Sequence, residues 1–256
     1  MLLAWEYRIW GEAVLLRNPN IYDRLLHIFD YRGFSLYTYR ASKHAELVLE
    51  PLEGRERIVA SLGTWLRVNG ETLGERDIAY IPMGARAGVE VDAGSVVYIA
   101  ESMAVNRYQF YVKRFQQSDS YDVGVEPYRR RVYVTIGEKD PADSIIAGYV
   151  EGEKGNWTSY PPHRHDEKPE AYIFFGMGEG FGVQLIMDES GEYAYVVRDY
   201  DVVLIPRGYH PNVCTSLAGC RYLWIISAPI GKRDLSVTIH PAFKDIPMGR
   251  SHLKVK

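Results

Sequence analysis

Between Gly33 and Arg40 apolar and polar positions alternate as Phe34-Ser35-Leu36-Tyr37-Thr38-Tyr39. That two-residue period belongs to a strand with one face buried. Short runs rich in Val, Ile, Leu and Tyr recur at 13–17, 47–50, 58–62, 65–71, 78–82 and 95–100. They resume at 128–134, 145–150, 171–175, 182–187, 193–197, 201–205 and 222–227. Gly, Pro and Asn punctuate them, and Asn69-Gly70 is a hairpin signal. Residues 22–29 fit either a strand or a short helix. Residues 103–127 are polar and aromatic without a clear period, and read as the connection between two halves. Helix is scarce throughout. Strands this short and regular predict an all-β sandwich or barrel.

One pattern occurs twice. Asp77-Ile78-Ala79-Tyr80-Ile81-Pro82-Met83-Gly84-Ala85-Arg86 lines up with Asp201-Val202-Val203-Leu204-Ile205-Pro206-Arg207-Gly208-Tyr209-His210. A second segment, 93–99, matches 218–224. Repetition at this long period means two copies of one fold rather than a solenoid. The expected division is 1–122 and 123–256.

Composition narrows the class without choosing a function. Of 256 residues, 46% are hydrophobic and 25% charged, and the net charge of −3 gives no reason to expect a nucleic-acid partner. No apolar run approaches the ~18 residues of a membrane span. Met1 to Trp5 is too short for a signal peptide. The two cysteines, Cys214 and Cys220, make no disulfide scaffold. They read as small buried apolar groups in a reducing cytoplasm.

The chemistry gathers in Asn156-Trp157-Thr158-Ser159-Tyr160-Pro161-Pro162-His163-Arg164-His165-Asp166, followed by Glu170. On an extended strand His163 and His165 look one way and Arg164 the other. Pro161 and Pro162 favour that extension. Pro206-Arg207-Gly208-Tyr209-His210 brings a third imidazole just past a turn. Three imidazoles and one carboxylate suit Zn, Mn, Fe, Ni or Cu rather than Ca or Mg. The first copy has Arg86 where the second has His210, and no His-x-His. Arg cannot be deprotonated to bind a cation, so the first copy is expected to hold no metal.

These motifs resemble those of a cupin duplicated in tandem. The first cupin motif reads as Gly155, His163, His165, Glu170 and Gly176, and the second as Pro206, Gly208, His210 and Asn212. The second half is more narrowly similar to the 5-deoxy-glucuronate isomerase family of inositol catabolism. Residues 155–166, Gly180-Phe181-Gly182-Val183-Gln184 and 198–211 carry the similarity, and it extends more weakly through 33–102. The segment between His165-Asp166 and Glu170 is shorter than the family's, and the tail 240–256 lacks the family's Asp-Pro-Asp-His ending. The resemblance implies a bicupin of two jelly-roll barrels with one divalent metal per chain, zinc first and Mn or Fe next. It implies His163, His165, Glu170 and His210 as the ligands. It further implies a cytoplasmic aldose–ketose isomerase with a small uronate substrate, compatible with a homo-oligomer and without a membrane or nucleic-acid partner. Alternatives are a deoxy-hexosulose-uronate isomerase of pectin breakdown, an iron cupin dioxygenase and a non-catalytic sugar-binding cupin.

Around those ligands, Arg207 is the expected partner of the substrate carboxylate. Gln184 and Tyr160 are expected to touch the substrate, and Tyr172 or Glu170 to carry the proton. Arg164, Lys154 and Lys168 read as solvated or structural charges, and Asp166 as a supporting turn residue.

Overall fold

The computed structural model describes residues 7–10, 13–18, 20–215 and 219–256. The expectation for Met1 to Trp5 lies outside them. The chain is nearly all β, with two 3-10 turns, Phe115–Gln117 and Pro241–Phe243, among the described residues. The ambiguous 22–29 resolves as a strand, Leu26–Tyr31. The supposed connection 103–127 holds two strands, Tyr111–Lys113 and Asp119–Val123. The hairpin forms as expected: Leu66–Val68 pairs with Glu71–Leu73, and Asn69 and Gly70 both take positive φ.

Two large sheets dominate. One runs Tyr111–Lys113, Ile78–Ile81, Arg55–Ser61, Val96–Met103, Phe34–Arg40, Leu26–Tyr31. The other runs Tyr7–Trp10, Ala13–Leu16, Val202–Ile205, Glu170–Phe174, Cys220–Ser227, Ile145–Gly152, Arg130–Ile136, Asp119–Val123. Apart from its two outermost strands, the second repeats the order of the first. The smaller sheets repeat too: Ala45–Leu49, Ala87–Val91, Leu66–Val68, Glu71–Leu73 against Trp157–Thr158, Asn212–Cys214, Gly182–Asp188, Gly191–Val197. No sheet closes on itself among the described residues, so each set is an open two-layer sandwich rather than a closed barrel.

The repeated aspartates do one job in both copies. Asp77 accepts the N–H groups of Gly74 and Phe115 and pairs with Arg114. Asp201 accepts those of Arg198 and Asn18 and pairs with Arg17. The strands leading into Phe115 and Asn18 are edge neighbours of the repeated strands. Strand Ala13–Leu16 thus serves the sheet of the later residues, crossing the division expected at 122/123.

Three cores hold the sheets together by burial of apolar area. One lies between the large sheets and includes Ile58, Ile78, Tyr80, Tyr149, Ile173 and Leu223. One fills each sandwich, around Leu66 and Val89 in the first and around Phe174 and Ile226 in the second. Glu56, fully buried, crosses between the large sheets. It accepts the N–H groups of Asp143, Ser144 and Ile145 and the hydroxyl of Tyr80.

The cysteines correct an expectation. Both are buried, but Cys214 and Cys220 form a disulfide, with Cα atoms 5.0 Å apart. They sit on strands of the small and large sheets that face each other, which their spacing in the chain does not reveal. Cysteine usage therefore gives no support to a reducing compartment. No helix of the described residues is long and apolar enough to cross a membrane.

Gly148 shapes the ground beneath the site. It pairs with Trp224 across the sheet, and a Cβ there would lie 2.0 Å from the Tyr133 carbonyl oxygen and 2.6 Å from the Trp224 ring. Gly148→Ala should destabilise the fold by about 1–3 kcal/mol through overpacking. It should also change the Trp224 fluorescence. An unchanged melting temperature would refute this account.

Candidate metal centre

His163 stands on the short strand His163–Arg164, which pairs with Ser236–Ile239 from the C-terminal segment. His165 follows where the chain leaves that strand. Glu170 opens strand Glu170–Phe174 and lies between Ile205 and Ile226 on its two neighbours. His210 comes off the Pro206-Arg207-Gly208 turn. Gly208 has φ +95°, and a Cβ there would meet the Met187 carbonyl oxygen at 2.9 Å, so the turn requires glycine. Backbone bonds from Met187 to Tyr209 and from Leu185 to Pro211 pin the segment that follows.

The three imidazoles offer ligand atoms within 4.8 Å of one another, and all three residues are buried. Glu170 Oε2 lies 3.1 Å from His210 Nε2 and 3.7 Å from His165 Nε2. Two rings are oriented by backbone: His163 Nδ1 contacts the Pro161 carbonyl oxygen at 3.0 Å, and His210 Nδ1 that of Gly208 at 2.9 Å. A ring that donates from Nδ1 keeps the Nε2 lone pair free. Among the described residues His210 Nε2 and Glu170 Oε2 are buried without a hydrogen-bond partner. Leaving such atoms unpaired is unfavourable, whereas a cation would satisfy them together. The donor set fits a divalent transition metal.

Electrostatics keep two of the imidazoles ready to bind a cation, while burial works against the Glu170 carboxylate. Burial, and then the neighbouring imidazoles, hold His163 and His165 well below the usual histidine range, so both are neutral near pH 7. Burial pushes Glu170 up, and burial with Glu170 beside it pushes Tyr172 up. Among the described residues the first copy gathers no comparable set. Arg57 pairs with Ile81 as Glu170 pairs with Ile205, and its guanidinium engages Glu101 at 2.8 Å. Arg86 lies 3.6 Å from Glu50. An arginine side chain sits where the second copy gathers ligands.

The other expected site residues disperse. Tyr172 lines the cavity beside the ligands, its hydroxyl 3.1 Å from Ser159 Oγ. Gln184 does not face the cavity: its amide donates to the carbonyl oxygens of Leu185, His210 and Pro211 and accepts from Asn212. It fixes the backbone at His210. Tyr160 packs among Tyr128, Trp157 and Phe243. Arg207 is half exposed, with Nε 3.2 Å from Asp188. Arg164 pairs with Asp166 on the outer face, and Lys154 is exposed as expected. Lys168 is a correction: it is buried, donating to Asp234 and Ser236 and so tying the Glu170 loop to the C-terminal segment.

A small cavity of about 30 Å³ opens on three of the four candidate ligands, His163, His165 and Glu170. Arg130, Trp224 and His252 line it as well. His252, from the tail, is half-buried as a residue, yet its Nδ1 is sealed from solvent without a partner. Burial, and then Arg130, push its pKa down to about 3. The unfolded chain binds this proton below about pH 6.5 and the folded chain does not until about pH 3. His252 therefore contributes stability that is complete above pH 6.5 and is lost as the pH falls toward 3. Melting temperatures measured across that window should fall more steeply for the native protein than for His252→Gln. Parallel curves would mean that this ring is not held neutral.

Residues 28–246 match the model of the KduI/IolB family. A protein of Geobacillus kaustophilus (strain HTA426) named 5-deoxy-glucuronate isomerase is 31% identical over 234 residues, 79% of this chain and 81% of that protein. One of the same name from Bacillus subtilis (strain 168) is 28% identical over 226 residues, covering 80% and 81%. The crystal structure of an IolB-like protein from Salmonella typhimurium LT2 superposes with a TM-score of 0.79 at 18% identity, over 90% of this chain and 97% of that one. A variant of Bacillus subtilis oxalate decarboxylase superposes at 0.60 with 11% identity, over 90% and 75%. At these identities the two structures speak for the fold alone.

Proposed function

Since the chain belongs to the KduI/IolB family, we propose that it is a metal-dependent aldose–ketose isomerase converting 5-deoxy-glucuronate to 5-dehydro-2-deoxy-gluconate in inositol catabolism. The family relationship supports an isomerase. The single observation that supports metal dependence is the convergence of His163, His165 and His210 on one buried point, with Glu170 3.1 Å from His210 and acceptor atoms left unpaired. We read the chain as two tandem cupin units divided near 122/123, with strand Ala13–Leu16 joined to the sheet of the second, which carries the chemistry.

The reaction moves one proton from the hydroxyl-bearing carbon to the neighbouring aldehyde carbon, while the two oxygens exchange carbonyl and hydroxyl character. A divalent cation, zinc first among the candidates, would polarise the carbonyl and stabilise the negative charge that develops as the proton leaves. The protein's own groups orient the sugar and keep bulk water out. Tyr172 presents its hydroxyl to the cavity beside Ser159, and Glu170 and Tyr172 project from one strand face. We take them as the groups that would hold a proton near the reacting carbons.

The test is direct. Purified protein is assayed for metal, then incubated with the uronate in deuterated water and followed by NMR. Formation of the ketose acid, abolished by a chelator and restored by added metal, is the expected result. Metal-replete protein that turns over neither this uronate nor the pectin-derived one would end the reading.

A further inference from the structure

The site cavity holds a charge that no described carboxylate neutralises. Arg130 opens strand Arg130–Ile136 and is 3% exposed. It lines the same cavity as His163, His165 and Glu170. Its Nη1 donates to the Tyr128 carbonyl oxygen at 3.2 Å, and that is its one hydrogen bond among the described residues. No carboxylate pairs with it there. The phenols of Tyr222, Tyr172 and Tyr128 and the imidazoles of His163 and His252 lie around it. Its neighbours in sequence behave differently: Arg129 is exposed, and Arg131 reaches outward to a bidentate pair with Asp122.

A guanidinium carries five donors and cannot shed its proton. Buried and unpaired, it is unfavourable for the fold, and replacement by an apolar group of similar size is commonly neutral or stabilising. Such a group persists where an anion arrives to complete it. The planar fork matches a carboxylate, which it binds through two parallel charge-assisted bonds.

We propose that Arg130 is the anchor for the substrate's carboxylate, facing the metal centre across the cavity, so that the site takes hydroxy-aldehydes with an acid at the far end. This rests on the isomerase reading for the reacting end, and is independent of it for the anion. It also relocates the anion contact expected of Arg207, which is half exposed and turned to Asp188.

Two experiments test it. In the first, steady-state kinetics compare the native protein, Arg130→Lys and Arg130→Met on 5-deoxy-glucuronate and on the analogue with the carboxylate reduced to an alcohol. For Arg130→Met, kcat/KM on the uronate should fall about 10- to 100-fold, mostly through KM, the range expected for a lost charge-assisted contact. The alcohol should change less than about threefold, Arg130→Lys should lie between, and metal content and melting temperature should not drop. Equal losses on both compounds overturn the proposal.

The second needs no variant to fold. D-gluconate has the carboxylate without an aldehyde, and D-sorbitol is its neutral counterpart. Gluconate should raise the melting temperature of the native protein at concentrations where sorbitol does not, and equal shifts from the two, or none, overturn the anchor. A native protein that prefers gluconate yet turns over no uronate would sink the isomerase reading and leave the anchor standing. Turnover of the uronate with no discrimination by Arg130→Met would do the reverse.

Discussion

His210→Ala should reduce bound metal from about one per chain toward none, and lower uronate turnover by at least two to three orders of magnitude. His210 is 1% exposed, with Nδ1 committed to Gly208 and Nε2 turned to Glu170 at 3.1 Å. Alanine removes one of four candidate ligands and leaves the Glu170 carboxylate facing a void. Gln184 and the Met187–Tyr209 bonds hold the backbone at this position without the imidazole. The fold should therefore survive, with a circular-dichroism spectrum like that of the native protein. Elemental analysis showing full occupancy in His210→Ala would remove His210 from the ligand set.

The largest expected effect on stability lies far from that centre. Glu56→Ala strips the acceptor from three consecutive backbone N–H groups and from Tyr80, all buried where the large sheets meet. Each donor left unsatisfied costs about 1–3 kcal/mol, so a loss of at least ~3 kcal/mol is expected. In a chain of this size that lowers the melting temperature by roughly 6–12 °C. Glu56→Gln keeps the shape but turns an N–H₂ group toward donors, so it should not restore stability. A glutamine variant as stable as the native protein would show that packing, not accepted hydrogen bonds, is what this side chain supplies.

The sequence makes some of this plain and hides the rest for identifiable reasons. His163-Arg164-His165 and Pro206-Arg207-Gly208-Tyr209-His210 are legible because strand alternation and a glycine turn fix where imidazoles point. Asp77 and Asp201 are legible as a pair because each copy needs the same acceptor beneath the same turn. Arg130 is not legible: three arginines stand in a row, and only the pairing of their strand with Ile145–Gly152 turns the middle one inward. His252 and Lys168 look like solvent-facing residues until the C-terminal segment folds back along His163–Arg164 and covers them. Strand Ala87–Val91 is hard to read because Gly88 and Glu90 interrupt its apolar run, although both lie on its more exposed face. In each case the missing information is long-range, belonging to a partner strand and not to the residue itself.

The pairing of strand Ala13–Leu16 with Val202–Ile205 bears on how the protein is made. Val14 is partnered by Leu204, roughly 190 residues further along. At ribosomal speeds of about 5–20 residues per second, the early strand leaves the tunnel ~10–40 s before its partner exists. During that interval its backbone donors and acceptors are open to any other nascent edge. Translation therefore sets a window in which chaperone cover matters most, and it closes only after the third imidazole of the site has been synthesised.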